Sequence, residues 1–162
     1  MLFLIHNSQA CLSVNSIDFT FYIASDNNDW VVGRTLISGG SAVSTTNHED
    51  CTAKIPGAIW IWDSILETEP CSALFSKHFF VPVIPYSATL YISSDDSHIV
   101  TINGIHANCD SFTSLSCRIG YEIICDVLNL INPGLNLLEI YANTIAGPAS
   151  LLYKLEIKSK IS

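Results

Sequence analysis

Apolar residues recur at every second position in one stretch of this chain after another. In IDFTFYIA (17–24), Ile17, Phe19, Phe21 and Ile23 share one face, the alternation of a half-buried strand. The same phase places Phe75, Lys77, Phe79 and Val81 together in LFSKHFFVP, then Ala88, Leu90 and Ile92, then His98, Val100 and Ile102. GYEIICDVL (120–128), LNLLEIYAN (135–143) and ASLLYKLEIK (149–158) are further short, β-rich candidates.

Turn chemistry separates these runs: Gly39-Gly40, Pro56-Gly57, Pro82 with Pro85, Asn103-Gly104, Pro133-Gly134 and Gly147-Pro148. No amphipathic helix longer than about two turns intervenes, so the pattern predicts an all-β sandwich or barrel. The longest polar interval, GRTLISGGSAVSTTNHEDCTAKIP (33–56), reads as a loop excursion or a pair of edge strands. No internal repeat is visible, and the whole of residues 1–162 reads as one domain.

A chain of 162 residues is about one domain long and buries roughly 70% of its unfolded surface. Composition is apolar, 49% hydrophobic and 14% charged with a mean hydropathy of +0.37. No uninterrupted apolar run reaches the roughly 18 residues of a membrane helix, so no span is expected. Fifteen acidic against seven basic residues give a net charge of −8. Such a surface repels phosphate, which argues against nucleic acid or an anionic membrane as a partner. The N-terminal MLFLIHNSQACLSVNS lacks a positive n-region and is interrupted by His6 and Asn7. It makes a poor signal peptide, and a first strand or the remnant of a signal are the two readings it leaves open.

Six cysteines, Cys11, Cys51, Cys71, Cys109, Cys117 and Cys125, favour an oxidising compartment. Sequence proximity suggests one bridge between Cys51 and Cys71, one within Cys109, Cys117 and Cys125, and a third closed by Cys11. The competing reading is zinc on His106, Cys109, Cys117 and Cys125, although structural zinc prefers two closely spaced ligand pairs. There is no Asn-x-Ser/Thr sequon.

AIWIWD (58–63), FSKHFFVP (75–82), ATLYISSDDSHIVTING (88–104) and DVLNLINPGLNLLEIYANTIAGPASLLYKLEI (126–157) follow one another in an order that resembles the galactose-binding-like jelly roll. That β-sandwich serves as the sugar-binding domain of many glycoside hydrolases and as free carbohydrate-binding or adhesive modules. The similarity runs from about residue 57 to 158. It implies a jelly-roll β-sandwich of two antiparallel sheets, glycan binding or a structural accessory role, and often a structural calcium. Fold alone does not fix function.

Within this frame Asp95 and Asp96 stand between two strands. They suit a turn, where aspartate accepts backbone N–H groups, or a cation site, where calcium wants six to eight oxygens. Trp60 and Trp62 flank Ile61, so both project from one face of a strand; they suit a core or, if exposed, a platform for the apolar face of a sugar ring. Trp30, preceded by Asp26, Asn27, Asn28 and Asp29, reads either as a buried anchor beside a polar turn or as an indole combined with carboxylates and amides, the pairing that stacks on a sugar ring and holds its hydroxyls. Catalysis has little support. Asp63, Glu67 and Glu69 show no arrangement that holds one carboxyl as an acid, there is no Gly-x-Ser-x-Gly, and His98 falls on an inward strand position. The sequence therefore predicts a non-catalytic carbohydrate-binding or adhesive recognition module outside the cytoplasm, with Asp29, Trp30, Asp95 and Asp96 as ligand-binding candidates. The alternative is a structural subunit of an extracellular fibre, surface layer or virion-like assembly that associates with its own copies.

Overall fold

The computed structural model describes residues 16–45, 51–65, 69–145 and 148–161. In chain order their strands are β1 (Ile17–Ala24), β2 (Trp30–Val32), β3 (Gly40–Ser41), β4 (Val43–Ser44), β5 (Ile61–Trp62), β6 (Cys71–Val81), β7 (Pro85–Asp95), β8 (Ser97–Ile102), β9 (Ile105–His106), β10 (Ile123–Asp126), β11 (Gly134–Thr144) and β12 (Ser150–Ile161). Two antiparallel sheets face each other. The first runs β10-β7-β12, and the far edge of β12 is shared by β1 and by β5, which carries β4. The second runs β3-β2-β6-β11-β8-β9. The stretch 33–56, read from sequence as a loop or edge excursion, contains β3 and β4.

The alternation explains which side chains meet. Leu90 and Ile92 on β7 and Leu151, Tyr153, Leu155 and Ile157 on β12 point at Ala73, Phe75, Phe79 and Val81 on β6, Leu138 and Ile140 on β11, and Val100 and Ile102 on β8. Each fully buried aliphatic or aromatic side chain contributes about 1.5–3 kcal/mol. Trp62 joins this core, its ring centroid 5.3 Å from that of Phe75. Hairpin chemistry fixes the edges: Asn103 and Gly104 both have positive φ (54° and 75°), as a tight β8–β9 turn requires.

A second, smaller core lies on the outer face of the first sheet. Leu152 and Tyr91 project away from the sandwich, and the segment 51–60 covers them with Cys51, Ala53, Ile55 and Trp60. Period-two alternation persists in this segment although it joins no ladder: Cys51, Ala53 and Ile55 are buried, Thr52, Lys54 and Pro56 exposed. Trp60 and Trp62 are thus both buried, but in different cores.

A disulfide between Cys51 and Cys117 fastens the segment down, helped by the bonds from Ala53 N–H to the Cys117 carbonyl (2.9 Å) and from Ile119 N–H to Thr52 Oγ1 (3.1 Å). This corrects the expected Cys51–Cys71 pairing. Cys71 opens β6 in the second sheet, paired across to Thr144, whereas Cys51 sits on the outer face of the first, so nearness in sequence misled. The expected bridge within the later group exists as Cys109–Cys125. Three of the four residues weighed as zinc ligands therefore have oxidised sulfurs, which removes that reading. Cys11, the N-terminal segment, Glu67 and Gly147 lie outside the described residues.

His98 is inward on β8, as its phase predicted, with Nδ1 2.6 Å from Ser94 Oγ. Burial pushes its pKa down to about 4, against the Cys109 carbonyl and the Asp110 carboxylate, which favour the cation. Between pH 6.5 and about 4 the unfolded chain binds a proton that the folded one refuses, so stability falls as pH falls through that window. The full loss is about 3 kcal/mol, with about 2 kcal/mol gone by pH 5. Urea denaturation at pH 7 and pH 5 is expected to show this difference in the native sequence and to show it reduced by a similar amount in His98→Gln.

Candidate functional site

The sequence after β1 folds into a tight turn because its carboxylates cap it. Asp26 Oδ1 accepts the Asn28 N–H (2.7 Å), and Asp29 Oδ2 accepts the Asp26 N–H (2.8 Å). Asp29 then turns inward and is fully buried, where the Tyr153 hydroxyl donates to its Oδ1. From β6, Lys77 reaches the same place. Its Nζ donates to the Ala24 carbonyl (2.6 Å), Asp26 Oδ1 (2.9 Å) and Asp29 Oδ2 (3.1 Å). Burial raises the Asp29 pKa, opposed by the Asp26 N–H, Tyr153 and Lys77. Burial also acts to raise that of Asp26, but its bond to Lys77 and the Asn28 N–H outweigh it and hold the carboxyl low. Burial, then the neighbouring Asp29, pushes Tyr153 far up.

Asp26 is the exposed end of this network and borders a groove. Three adjoining depressions of about 610, 300 and 620 Å³ wrap around the Lys54–Gly57 segment where it crosses the first sheet. The first runs along Trp60 and Leu152; the second lies between Lys54, Tyr91, Glu122 and Lys154; the third holds Tyr22, Asp26 and Lys154. The register explains the grouping. Ala24, Lys154, Tyr91 and Ile124 form one cross-strand row and Tyr22, Glu156, Thr89 and Asp126 the next, all outward. Lys154 Nζ stands 5.1 Å from the Tyr22 ring centroid and 5.5 Å from that of Tyr91. The site thus offers two tyrosine rings, two ammonium groups and two carboxylates, Asp26 and Glu122, along a shallow channel.

The four residues singled out from sequence are not brought together. Asp29 is internal. Trp30, next along the chain, points the other way, its indole half exposed on the outer face of the second sheet and backed by Gly39, whose positive φ and close approach leave no room for a Cβ. Asp95 and Asp96 occupy the β7–β8 turn, where Asp96 N–H donates to the Asn143 carbonyl (2.9 Å) and its Oδ2 accepts the Ile145 N–H (2.7 Å). Trp30 aligns with Ser76 of β6, and Ser97 aligns through Asn143 with Ser72. Four residues along and three strands across separate the pairs, roughly 20 Å. Tyr22, Tyr91, Lys54 and Lys154 escaped the sequence reading, although Lys154 stands on the polar phase of ASLLYKLEIK, and Asp26 entered it only as a neighbour of Trp30.

Calcium does not fit the groups found. Among the described residues, the trio of metal-ligand types that converges is Cys51, Asp95 and Cys117, and its two sulfurs are bonded to each other. The Asp26–Asp29 pair already holds the Lys77 ammonium. No helix among the described residues is long and apolar enough to cross a membrane.

No protein-family profile and no curated protein sequence matches the chain. Among solved structures, it is similar to part of the β-glucuronidase of Ruminococcus gnavus, with a TM-score of 0.54 and 10% identity over 86% of this chain and 30% of that one. It is also similar to a family 35 carbohydrate binding module from Clostridium thermocellum (TM-score 0.47, 13% identity, 84% and 97% covered). The third is the α-L-rhamnosidase of Streptomyces avermitilis (TM-score 0.47, 18% identity, 86% and 12% covered). The chain spans between 12% and 30% of the two glycosidases named. At such identities the likeness concerns the fold alone, a jelly-roll β-sandwich of two antiparallel sheets.

Because Lys77 is the cation that balances a fully buried carboxylate, Lys77→Met is expected to cost about 3–5 kcal/mol in urea denaturation. Adding Asp29→Asn removes the stranded charge, so the double variant should be more stable than the single one. A single variant within about 0.5 kcal/mol of the native protein would rule out this role.

Proposed function

We propose that this domain binds carbohydrate without acting on it, in an extracellular or cell-surface setting, and that the groove along the Lys54–Gly57 segment holds the ligand. The carrying observation is the juxtaposition of Tyr22 and Tyr91 with charged hydrogen-bonding groups on one outward face. Aromatic rings supply a flat apolar surface for the C–H face of a sugar, and carboxylates and ammonium groups hold its hydroxyls. Two disulfides favour an oxidising compartment. The sequence resemblance points to the same class of function. Trp30 is a second aromatic platform on the opposite face, and Asp95 and Asp96 stand at the β7–β8 turn; the ligand-binding role read for them from sequence is an alternative position for the site, with Asp29 as the buried support of the turn before Trp30.

Isothermal titration with a panel of oligosaccharides tests the reading. Tyr22→Ala and Tyr91→Ala are each expected to weaken binding about tenfold or more, equivalent to about 1.4 kcal/mol. Loss of binding in Trp30→Ala or Asp96→Ala with both tyrosine variants unaffected would move the site; no binding across the panel would end the proposal.

A second reading rests on the outer face of the second sheet. Val32, Leu74, Tyr141 and Ile99 are directly cross-strand from one another and all exposed, with Phe80 and Leu135 paired further along. A contiguous apolar row of this kind suits contact with like subunits in an assembly. Sedimentation at micromolar concentration should then show dimers or larger species that Leu74→Lys returns to monomer. Monomers throughout would reject it.

A further inference from the structure

Charge is distributed unevenly over this acidic molecule. Of its seven basic residues, Lys54, Lys154, Lys158 and Lys160 belong to β12 or to the segment that crosses the first sheet. Lys158 is already committed to Glu156 (3.1 Å), and Lys160 stands across the ladder from Asp18. Lys54 and Lys154 differ. Both line the 300 Å³ depression, and neither pairs with a carboxylate among the described residues.

Two nearby carboxylates hold other lysines: Glu156 holds Lys158 and Asp26 holds Lys77. Glu122, on the wall of the same depression, accepts the Gly120 N–H through Oε2 (2.8 Å), so a single carboxylate stands there against two ammonium groups and a tyrosine ring. At physiological salt the Debye length is about 8 Å, so the remote acidic surface is largely screened there while contact between these lysines and an anion is not.

We propose that the groove selects an acidic sugar residue, its anionic group between the ammonium groups of Lys54 and Lys154 and its ring against Tyr91. This deepens the carbohydrate reading above and rests on it. The negative group is the carboxylate of a hexuronic acid or a sulfate ester, since two ammonium groups recognise either.

Titration with three probes separates the cases: a hexuronic-acid tetrasaccharide, its carboxyl-reduced neutral counterpart, and a sulfated disaccharide. The uronate is expected to bind at least tenfold tighter than the reduced form at 50 mM salt. That preference should shrink at 500 mM salt and disappear in Lys54→Gln combined with Lys154→Gln. Lys158→Gln, on the same face but already neutralised, is expected to leave it intact. Because Lys154 also packs between two rings, circular dichroism checks the fold of its variant, and Lys54→Gln alone, at an exposed position, should still lower the preference severalfold. Binding of the sulfated probe alone, with the same lysine dependence, supports the anion site and assigns it to sulfate. Equal affinity for uronate and reduced forms, or a preference that survives both lysine changes, overturns this inference and leaves carbohydrate binding standing. No binding of any probe, or of the wider panel, overturns both.

Discussion

A lysine inside a sandwich organises this protein. Lys77 lies on the inward phase of β6, among Phe75, Phe79 and Val81, where an unpaired ammonium would cost several kcal/mol. Its charge is met by Asp29 and Asp26 from the β1–β2 turn, and Asp29 is met in turn by the hydroxyl of Tyr153 from β12. One network therefore ties the second sheet, the first sheet and the turn between β1 and β2. None of its members is tolerable alone: the carboxylate needs the cation, the cation needs the carbonyl of Ala24, and the phenol needs an acceptor in an apolar wall. Ser25 extends the tie, since its hydroxyl donates to the Ile59 carbonyl (2.7 Å) and accepts the Tyr153 N–H (3.1 Å).

That arrangement reaches the surface through Asp26. The same carboxylate that shares Lys77 borders the channel beside Tyr22 and Lys154, so the rigid interior sets the position of a group at the candidate site. The opposite wall is built differently. Residues 51–60 join no ladder and are held by a disulfide, a few hydrogen bonds and a small apolar cluster around Leu152. A groove between a network-pinned turn and a staple-held segment has one face preorganised by the core and one by a covalent link, which limits the ordering a ligand must impose.

Much of the frame was legible residue by residue. The alternation in FSKHFFVP, ATLYISS, HIVTI and ASLLYKLEIK named the inward side chains of β6, β7, β8 and β12, because a pleated strand between a core and solvent must repeat every two residues. It even placed Lys77 and His98 inward, against their chemistry. It could not say why they are tolerated there, since Asp29 is 48 residues from Lys77 and the contact depends on how the sheets stack. AIWIWD looked like a strand presenting both tryptophans together; only Ile61 and Trp62 pair, and the two indoles enter separate cores.

The sequence by itself determined that the chain would fold as two antiparallel sheets with a hydrophobic interior, because that follows from local periodicity and turn residues. The tertiary structure alone decided which cysteines meet, which aspartate is internal, and which face gathers the lysines. Those outcomes depend on register and on which surface a crossing segment covers. Cys51 pairs with Cys117 rather than Cys71 for that reason, and Tyr22, Tyr91 and Lys154, drawn from three strands far apart in sequence, become neighbours only when β1, β12 and β7 lie side by side.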